Sequence, residues 1–397
     1  MHQVFKQILA SMVGLVACSH VDAAEPFKVA AYYTSWSSEA RQFPVSSIPA
    51  DKLTHVIFAF ALVKEGQVVQ MSPEHDARGA NLFKQLRMLK SAHPHLKTLI
   101  SIGGWTGSAT FSDVAATPAS RARFARSAVQ FMRQYGFDGI DIDWEYPVEG
   151  GMEGNHHRPE DRDHYPLLLK AIRQQMDRVG HGANTQYLLT SATSGAHYLK
   201  HADISAAAKY VDWFNLMAYD FAGPWSKTAG HVASLAIDPL QPAYDGAAPE
   251  SVQSMVSGYL AAHVPPQKLV VGVPLYGYHW TGCKSEQHGL YQACTAIGKG
   301  SWERDMGSLD LSDIELHYTS AQGFTRYEHE ATGASWLFRE SDGAMVTFDS
   351  VTSVQQKVAM IRAQGLGGAM MWELSGDRQH TLINVLSELR QPAVTPN

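Results

Sequence analysis

The sequence predicts an α/β protein whose core is a closed (β/α)8 TIM barrel, with a small α+β insertion between strand 7 and helix 7. Eight short runs rich in β-branched and aromatic residues alternate with helical segments, which is the pattern of parallel strands joined by helices. Such a barrel has a typical length of about 250 residues. The 397 residues of the chain therefore leave room for an insertion. An acidic stretch also ends the fourth run, at the edge where barrel enzymes place their catalytic side chains.

The eight predicted strands follow one another in chain order, and each is short and largely apolar. Between them, amphipathic segments such as 119–135 and 165–179 are long enough to be the packing helices. The strands are predicted at 28–34, 53–62, 97–103, 136–145, 187–193, 211–219, 268–276 and 367–373.

The longest connection follows the seventh predicted strand. About 70 residues precede the helix predicted near 354–364, and this length is too great for an unstructured loop. Three runs within the connection have the pattern of short strands, namely 324–327, 335–338 and 345–348. We therefore expect 28–277 and 349–390 to form the barrel and 278–348 to form a subdomain on its rim.

Composition and charge are those of an ordinary soluble protein. The apolar fraction is 45%, the charged fraction is 18%, and the formal net charge is −6. Without a basic run, binding driven by counterion release from phosphates is not supported, so we expect no nucleic-acid partner. We also expect a monomer.

The N-terminus has the pattern of a secretory signal peptide over residues 1–23. The apolar stretch 8–18 is too short to span a bilayer, and small residues follow it. Two processing schemes remain open: cleavage after Ala23, or lipidation of Cys18, because Leu15-Val16-Ala17-Cys18 resembles a bacterial lipoprotein box. Either scheme places the folded part outside the cytoplasm, secreted or lipid-anchored. We predict no transmembrane segment in the rest of the chain.

Two cysteines remain outside this leader, Cys283 and Cys294. An even number separated by a short loop, in an exported protein, favours a disulfide. Two unpaired thiols are the alternative.

The acidic stretch runs from Asp138 to Pro147. In a strand, Asp141, Asp143 and Glu145 point to one face, while the apolar residues between them pack against the other. The three carboxyl groups then form a column at steps of roughly 7 Å. Like charges raise one another's pKa at this range, so at least one carboxyl group should be protonated near neutral pH and able to act as an acid. A solvated edge strand with an acidic face is the alternative. Asp138 has the opposite parity, which indicates a structural role.

The stretch from Asp138 to Pro147 resembles the signature of glycoside hydrolase family 18, the chitinases, in which Asp-x-x-Asp-x-Asp-x-Glu lies on the fourth barrel strand. Four further motifs of the family are matched in order and at barrel spacing, on the third, sixth, seventh and eighth strands. They are Ser101-Ile102-Gly103-Gly104-Trp105, Met217-Ala218-Tyr219-Asp220, Gly272-Val273-Pro274-Leu275-Tyr276-Gly277 and Gly367-Gly368-Ala369-Met370-Met371-Trp372-Glu373. The resemblance covers nearly the whole chain after the leader, and it is to the bacterial type with an α+β insertion domain.

Carried over to these positions, the resemblance makes Glu145 the acid that protonates the glycosidic oxygen. Asp143 would turn toward Glu145 and orient the acetamido group of the substrate, and Asp141 would share a proton with Asp143. The family uses the N-acetyl oxygen of the sugar as nucleophile, which is an exception to the usual pair of carboxylates.

The resemblance also assigns roles around this column. Tyr219 and Asp220 would hold the acetamido group, with Met217 beneath it. Tyr32 and Ser101 would donate hydrogen bonds to the buried aspartates.

Aromatic residues are expected to bind sugars, because the apolar faces of pyranose rings stack on flat rings. Trp372, at the end of the eighth strand, corresponds to the floor tryptophan of the family. Trp105 and Trp225 follow strands three and six, where a cleft for a chain would run. We also place Phe58, on the second strand, among the substrate-binding residues. Trp144 alternates away from the carboxyl groups, which indicates packing.

One position departs from the family pattern. Many relatives continue the seventh-strand Tyr-Gly with Arg, whereas Tyr278 and His279 follow Gly277 here. This departure leaves the sugar contacts of that region open.

A second cluster, His156-His157 with Glu153 and Asp161, raises the question of a metal site. Its spacing matches no recognised ligand pattern. We therefore expect a solvated loop, no metal and no organic cofactor.

The resemblance implies a secreted chitinase that hydrolyses β-1,4 linkages between N-acetylglucosamine units with retention of configuration, acting on chitin or its oligosaccharides. An endo-N-acetylglucosaminidase that acts on glycoprotein glycans or peptidoglycan is the alternative enzyme. The intact Trp144-Glu145-Tyr146-Pro147 ending and the long insertion favour chitin. A non-catalytic chitin-binding lectin is the alternative that is not an enzyme. Such a lectin normally lacks the catalytic acid, whereas Glu145 is present.

Overall fold

A computed structural model describes residues 26–71, 73–243, 248–302 and 307–391, with the side chains of 73–80 left aside. The predicted signal peptide and Cys18 lie outside the described residues. The strands are β1 (Lys28–Thr34), β2 (His55–Lys64), β3 (Gln67–Gln70), β4 (Lys97–Gly103), β5 (Gly139–Asp143), β6 (Leu188–Thr193), β7 (Trp213–Leu216), β8 (Leu269–Pro274), β9 (Tyr276–Thr281), β10 (Ala296–Ile297), β11 (Ser308–Asp310), β12 (Thr325–His329), β13 (Ala334–Arg339), β14 (Ala344–Phe348) and β15 (Gly368–Trp372).

Eight of these strands run parallel and close into the predicted barrel. Their order is β1-β15-β8-β7-β6-β5-β4-β2, and β1 pairs with β2 to complete the ring. Each predicted run overlaps one barrel strand, so the (β/α)8 prediction is confirmed. The short strand β3 adds an antiparallel hairpin to the end of β2.

The longer helices surround the barrel and bury one face against it. Helix α3 illustrates why they form where they do: Pro118 occupies its first turn, Thr117 and Ser120 form a capping box, and Gly136 ends it in the left-handed conformation. The helices are α1 (Pro73–Ala92), α2 (Phe111–Ala116), α3 (Pro118–Tyr135), α4 (Asp161–Ala183), α5 (Ala196–His201), α6 (Ile204–Ala207), α7 (Val252–Ala261), α8 (Leu311–His317), α9 (Val351–Ala363) and α10 (Thr381–Ser387).

A second sheet forms between β8 and α9. Strand β9 lies at its centre and pairs with β10, β11 and β14, and the sheet continues through β13 to β12. The chain leaves the barrel at Pro274 and enters this sheet at Tyr276, slightly before the predicted boundary at 278. The single run predicted at 268–276 therefore belongs to two sheets. Cys283 and Cys294 are joined by a disulfide, and Cys283 lies just after the end of β9.

Within the described residues, no helix is long and apolar enough to cross a membrane.

Candidate active site

The acidic column lies on β5, with its side chains inside the barrel as the alternation predicts. Asp141 is fully buried and accepts four hydrogen bonds. Tyr32 Oη and Ser101 Oγ donate to its Oδ2 at 2.8 and 2.7 Å, while Thr190 Oγ1 and Asn215 Nδ2 donate to its Oδ1 at 2.6 and 3.1 Å. Burial raises the pKa of Asp141, and the four donors oppose that rise because they favour the carboxylate.

Asp143 stands one step higher in the column and has a different environment. Burial raises the pKa of its carboxyl group well above the ordinary value, and the charges of Glu145 and Asp141 raise it further. Its Oδ1 atom is buried and has no hydrogen-bond partner among the described residues. A proton in this column therefore resides more readily on Asp143 than on Asp141.

Glu145 ends the column at the carboxyl edge of the barrel. Its backbone N–H donates to Ser108 Oγ at 2.8 Å, and Asn155 Nδ2 donates to its carbonyl oxygen at 2.8 Å, which fixes the backbone. Burial raises the pKa of Glu145 to about 7; the charge of Asp220 adds to the rise, and a hydrogen bond with Tyr146 opposes it. A carboxyl group that is still protonated near neutral pH is suited to donate a proton.

The two glycines of the third-strand motif make room for this column. Gly103 has φ of 114°, and a Cβ there would lie 2.1 Å from the carbonyl oxygen of Asp143. A Cβ on Gly104 would lie 2.6 Å from the ring of Phe60, while its N–H donates to the same Asp143 carbonyl oxygen. The motif is therefore a close approach of β4 and its loop to β5 that side chains would prevent.

Asp220 lies at the mouth of the barrel, where two tyrosine hydroxyls converge on one oxygen. Tyr276 Oη and Tyr278 Oη donate to its Oδ1 at 2.5 and 2.9 Å. Although the residue is open to solvent on one side, desolvation by the surrounding protein raises the pKa of its carboxyl group, and the two hydroxyls oppose the rise. Tyr278, which departs from the family pattern expected at this position, thus gives Asp220 a neutral partner.

A cavity of about 280 Å³ opens above the column and is walled by aromatic rings. Trp372 forms part of its floor and is held by two rings, Tyr32 at 5.2 Å and Phe60 at 5.8 Å between centroids. Asp143, Glu145 and Asp220 are the acids of its lining, which also includes Tyr32, Trp36, Phe60, Trp105, Thr106, Ala192, Met217, Tyr219, Tyr276 and Trp372. A flat apolar floor with acids on one side fits a pyranose ring.

The expectation for Phe58 does not agree with the structure. Phe58 points out of the barrel and packs against Phe83 at 4.9 Å, beneath the surrounding helices. The neighbouring Phe60 enters the cavity instead, because the pairing of β2 with β4 shifts between Ala59 and Ala61. The extra residue of this bulge reverses the alternation, so that an aromatic ring reaches the inner face.

Trp105 and Trp225 are the two large exposed aromatics near the cavity mouth, with exposed fractions of 51% and 61%. Trp105 lies in the cavity lining, 6.4 Å from the ring of Tyr146. Trp225 lies outside that lining, and its ring packs in a T-shaped arrangement against Tyr278, with 5.5 Å between the ring centroids. Trp144 is buried and stacks on Phe111, in agreement with a packing role.

Asp138, predicted to be structural, has a structural partner, whereas Asp161, predicted to lie in a solvated loop, is fully buried at the start of α4. Asp138 pairs with Lys90 at 2.9 Å at the opposite end of the barrel. His156 contacts Asp113 at 2.6 Å, and Asp161 accepts hydrogen bonds from Ser112 and the backbone of Arg158. Within the part of the chain that the structure describes, no group of three or more His, Cys, Asp or Glu side chains could hold a metal ion.

Several site residues were missed by the sequence reasoning. Trp36 and Tyr276 line the cavity, while Thr190 and Asn215 bind Asp141. The last two had a usable signal, because each shares the inward parity of its strand and is polar at a buried position. Trp36 lies just after the first barrel strand, a place where an aromatic residue is a candidate, but nothing in the sequence orients it.

The barrel, the acidic column and the aromatic cavity at its carboxyl edge define a carbohydrate-cleaving hydrolase of the TIM-barrel class. Residues 28–377 match the family described as glycosyl hydrolases family 18. The chain belongs to this family and is a glycoside hydrolase.

Individual relatives agree with this membership. "Chitinase A1" from Niallia circulans is 40% identical over 411 residues, which cover 92% of this chain but 58% of that protein, so the chain spans little more than half of this relative. "Chitotriosidase-1" from Mus musculus is 32% identical, with 96% of this chain and 82% of that protein covered. Among solved structures, chitinase ChiA74 from Bacillus thuringiensis matches with a TM-score of 0.87 at 32% identity, over 94% of this chain and 71% of that one.

Proposed function

We propose that this glycoside hydrolase is a chitinase that cleaves β-1,4 linkages between N-acetylglucosamine units with retention of configuration, using the acetamido group of the substrate as nucleophile. The observation that carries the proposal is Glu145, which is held at the mouth of an aromatic cavity with a pKa of about 7. The names of the relatives support chitin as the substrate.

The first step breaks the glycosidic bond. Glu145 gives its proton to the leaving glycosidic oxygen while the acetamido oxygen attacks the anomeric carbon and forms a cyclic oxazolinium ion. The unpartnered Oδ1 of Asp143 supplies an acceptor for the acetamido N–H, whose acidity increases as the ring closes. This contact would satisfy a buried oxygen and place the nucleophile at once.

The second step returns the enzyme to its starting state. Glu145, now a carboxylate, takes a proton from water, and the resulting hydroxide attacks the anomeric carbon from the face that the leaving group left. The N-acetyl group is released, and the two inversions give net retention. Tyr219 and Asp220, both in the cavity lining, are proposed to hold the acetamido group during these steps.

The choice of nucleophile follows from the state of the other acids. A carboxylate nucleophile must be ionised and stand close to the acid, at about 5 Å between carboxyl groups. Burial and the charges of Glu145 and Asp141 raise the pKa of Asp143 well above its ordinary value, which favours its protonated form. Asp220 already accepts two hydrogen bonds on one oxygen. The acetamido group is therefore the nucleophile that these residues favour.

Product analysis tests the substrate class. We expect cleavage of N-acetylglucosamine oligomers with β-configured products in the first minutes. A glycoprotein glycan and peptidoglycan serve as competing substrates. Preferential cleavage of either would favour the endo-N-acetylglucosaminidase alternative, and binding of chitin without any cleavage would favour the lectin.

The pKa of Glu145 predicts the alkaline side of the pH profile. Because the acid must be protonated, kcat/KM should be half lost near pH 7 and then fall about tenfold for each further pH unit. Since the charge of Asp220 raises this pKa, Asp220→Asn should move the alkaline midpoint to lower pH. Initial rates on a soluble oligomer from pH 4 to 9 would measure both. An alkaline midpoint above pH 9 in the wild-type enzyme would contradict the assignment.

The exposed ring of Trp225 predicts a contribution to long substrates. Trp225→Ala should lower kcat/KM for a hexamer of N-acetylglucosamine by about tenfold, which corresponds to about 1.4 kcal/mol of lost stacking. A short aryl glycoside that stays within the cavity should be cleaved as before. Leu240→Ala is the matched control, because Leu240 is also exposed, at 67%. Equal losses on both substrates would mean that Trp225 supports the fold rather than a distant sugar.

We further propose that the enzyme acts outside the cytoplasm. The signal-peptide pattern supports export, and the Cys283–Cys294 disulfide is typical of an oxidising compartment. Mass spectrometry of the protein from its producing cells would distinguish a chain that begins at Ala24 from one that is lipidated on Cys18.

A further inference from the structure

A chain of hydrogen bonds connects the closed end of the barrel to the acidic column. Trp213 is the first residue of β7, points inward and is only 2% exposed. It packs in the interior cluster that includes Tyr32, Ile57 and Met370. Its indole Nε1 donates to Asn215 Oδ1 at 2.9 Å, and Asn215 Nδ2 donates to Asp141 Oδ1 at 3.1 Å.

The direction of these two hydrogen bonds is fixed by the groups that form them. An indole N–H can donate but cannot accept, whereas an amide side chain can present either its oxygen or its NH2 group. Facing Trp213, Asn215 must present its oxygen, and its NH2 group then has to face Asp141. With Trp213 in place, Asn215 can only donate to Asp141.

We propose that Trp213 is a positioning residue for the hydrolysis: by fixing the amide of Asn215, it forces a donor onto Asp141 and keeps that carboxyl group ionised beneath Asp143. The mechanistic part of this inference rests on the proposed function. Four donated hydrogen bonds stabilise the ionised form of Asp141. The proton of the column therefore stays on Asp143, next to the substrate.

The other groups around Asp141 and Trp213 do not force a donor onto Asp141. Tyr32, Ser101 and Thr190 donate to Asp141 through hydroxyls, which can rotate to accept instead. The carboxyl group of Asp143 and the hydroxyls of Tyr165 and Tyr219 also interact with Asp141 through space.

Beside the indole, His55 packs edge-on at 4.9 Å, and burial lowers its pKa to about 3, so it stays neutral in the assay range. The ammonium group of Lys28 lies 5.9 Å from the ring centroid. A shift of the acidic midpoint within the assay range therefore does not arise from His55.

Trp213→Phe tests the proposal, because it keeps an aromatic ring and removes the N–H. Asn215 can then turn its oxygen toward Asp141 and accept a proton from it, so Asp141 should protonate at higher pH. We expect the acidic midpoint of kcat/KM to rise by about one pH unit, a loss of roughly tenfold on the acidic limb, with a much smaller change at the optimum.

Trp280→Phe is the matched control. Trp280 is equally buried, at 2% exposed, but its Nε1 has no hydrogen-bond partner in the described ranges. The same substitution there should leave the acidic midpoint unchanged. An equal shift in both variants would show a general effect of lost packing and would overturn the proposal.

A double-mutant cycle tests whether Trp213 acts through Asn215. Asn215→Leu removes the donor directly and should also raise the acidic midpoint. Combined with Asn215→Leu, Trp213→Phe should add nothing, because the amide that it controls is gone. Additive shifts would overturn the proposal.

A titration of Asp141 in the free enzyme tests the role of Trp213 independently of the proposed function. In protein labelled with 13C at the aspartate carboxyl groups, the signal absent from Asp141→Asn identifies Asp141. Its titration should move to higher pH in Trp213→Phe and remain unchanged in Trp280→Phe. If the wild-type enzyme fails to cleave N-acetylglucosamine oligomers, the proposed function falls while this titration still decides the role of Trp213; an unchanged Asp141 titration in Trp213→Phe would reject it.

Discussion

Glu145→Gln should lower the hydrolysis of N-acetylglucosamine oligomers by about 10²-fold or more while leaving their binding intact. Glutamine keeps the shape of the side chain and its ability to hydrogen-bond, but it has no proton to give to the leaving oxygen. Because the backbone of residue 145 is held by Ser108 and Asn155, the substitution should not disturb the loop.

The measurement is a pair of assays on one protein preparation. Initial rates on a chitin oligomer give the loss of catalysis, and calorimetric titration with the same oligomer gives its affinity. Glu153→Gln is the matched control, since Glu153 lies on the same loop and is exposed. A Glu145→Gln enzyme that keeps more than a tenth of the wild-type rate would remove Glu145 from the role of acid.

The barrel and the order of its acids could be predicted because both depend on short-range periodicity. Alternation along β5 placed Asp141 and Asp143 inside the barrel and Ile140 and Ile142 against the helices, and the structure agrees. A buried parallel strand has a simple pattern, and an acid that interrupts it is easily seen in the sequence.

The bulge in β2 could not be predicted in this way. A bulge needs one unpaired residue, and any of several positions in the run 53–62 could have supplied it. The structure places it at Phe60, which turns that ring into the cavity and leaves Phe58 in the outer core. The unpaired residue therefore gives opposite orientations to two phenylalanines that share the same parity in the sequence.

Contacts between segments that are distant in the sequence could not be predicted either. Asp220 was expected in the site, but the convergence of Tyr276 and Tyr278 on it depends on how β9 leaves the barrel. The role of Trp213 also depends on packing between strands. Its N–H acts on Asp141 only through Asn215, which accepts from Trp213 and donates to Asp141. Parity predicts which way a side chain points, but its partner depends on the packing of other strands.

A fully deacetylated oligomer of glucosamine should not be cleaved, even at concentrations at which it binds. In the proposed mechanism, the acetamido oxygen is the nucleophile, and an intramolecular nucleophile can act with an effective concentration of about 10⁵ M or more. Removing it leaves no group suited to take its place, because burial raises the pKa of Asp143 well above its ordinary value and favours the protonated form, and because Asp220 accepts two hydrogen bonds from tyrosine hydroxyls. We expect a loss of at least about 10³-fold relative to the acetylated oligomer of the same length.

The control for this prediction must separate chemistry from binding. The deacetylated oligomer should compete with the acetylated one for the wild-type enzyme, which shows that it occupies the cleft, and a thiazoline or oxazoline mimic of the cyclic ion should inhibit more tightly than either. Oligomers with one acetylated unit should be cut only where that unit contributes the anomeric carbon that is attacked, because the acetamido group and the broken bond must belong to the same sugar. Efficient cleavage at bonds where this sugar is glucosamine would mean that the protein supplies its own nucleophile, and the roles proposed for Asp143 and Tyr219 would then be wrong.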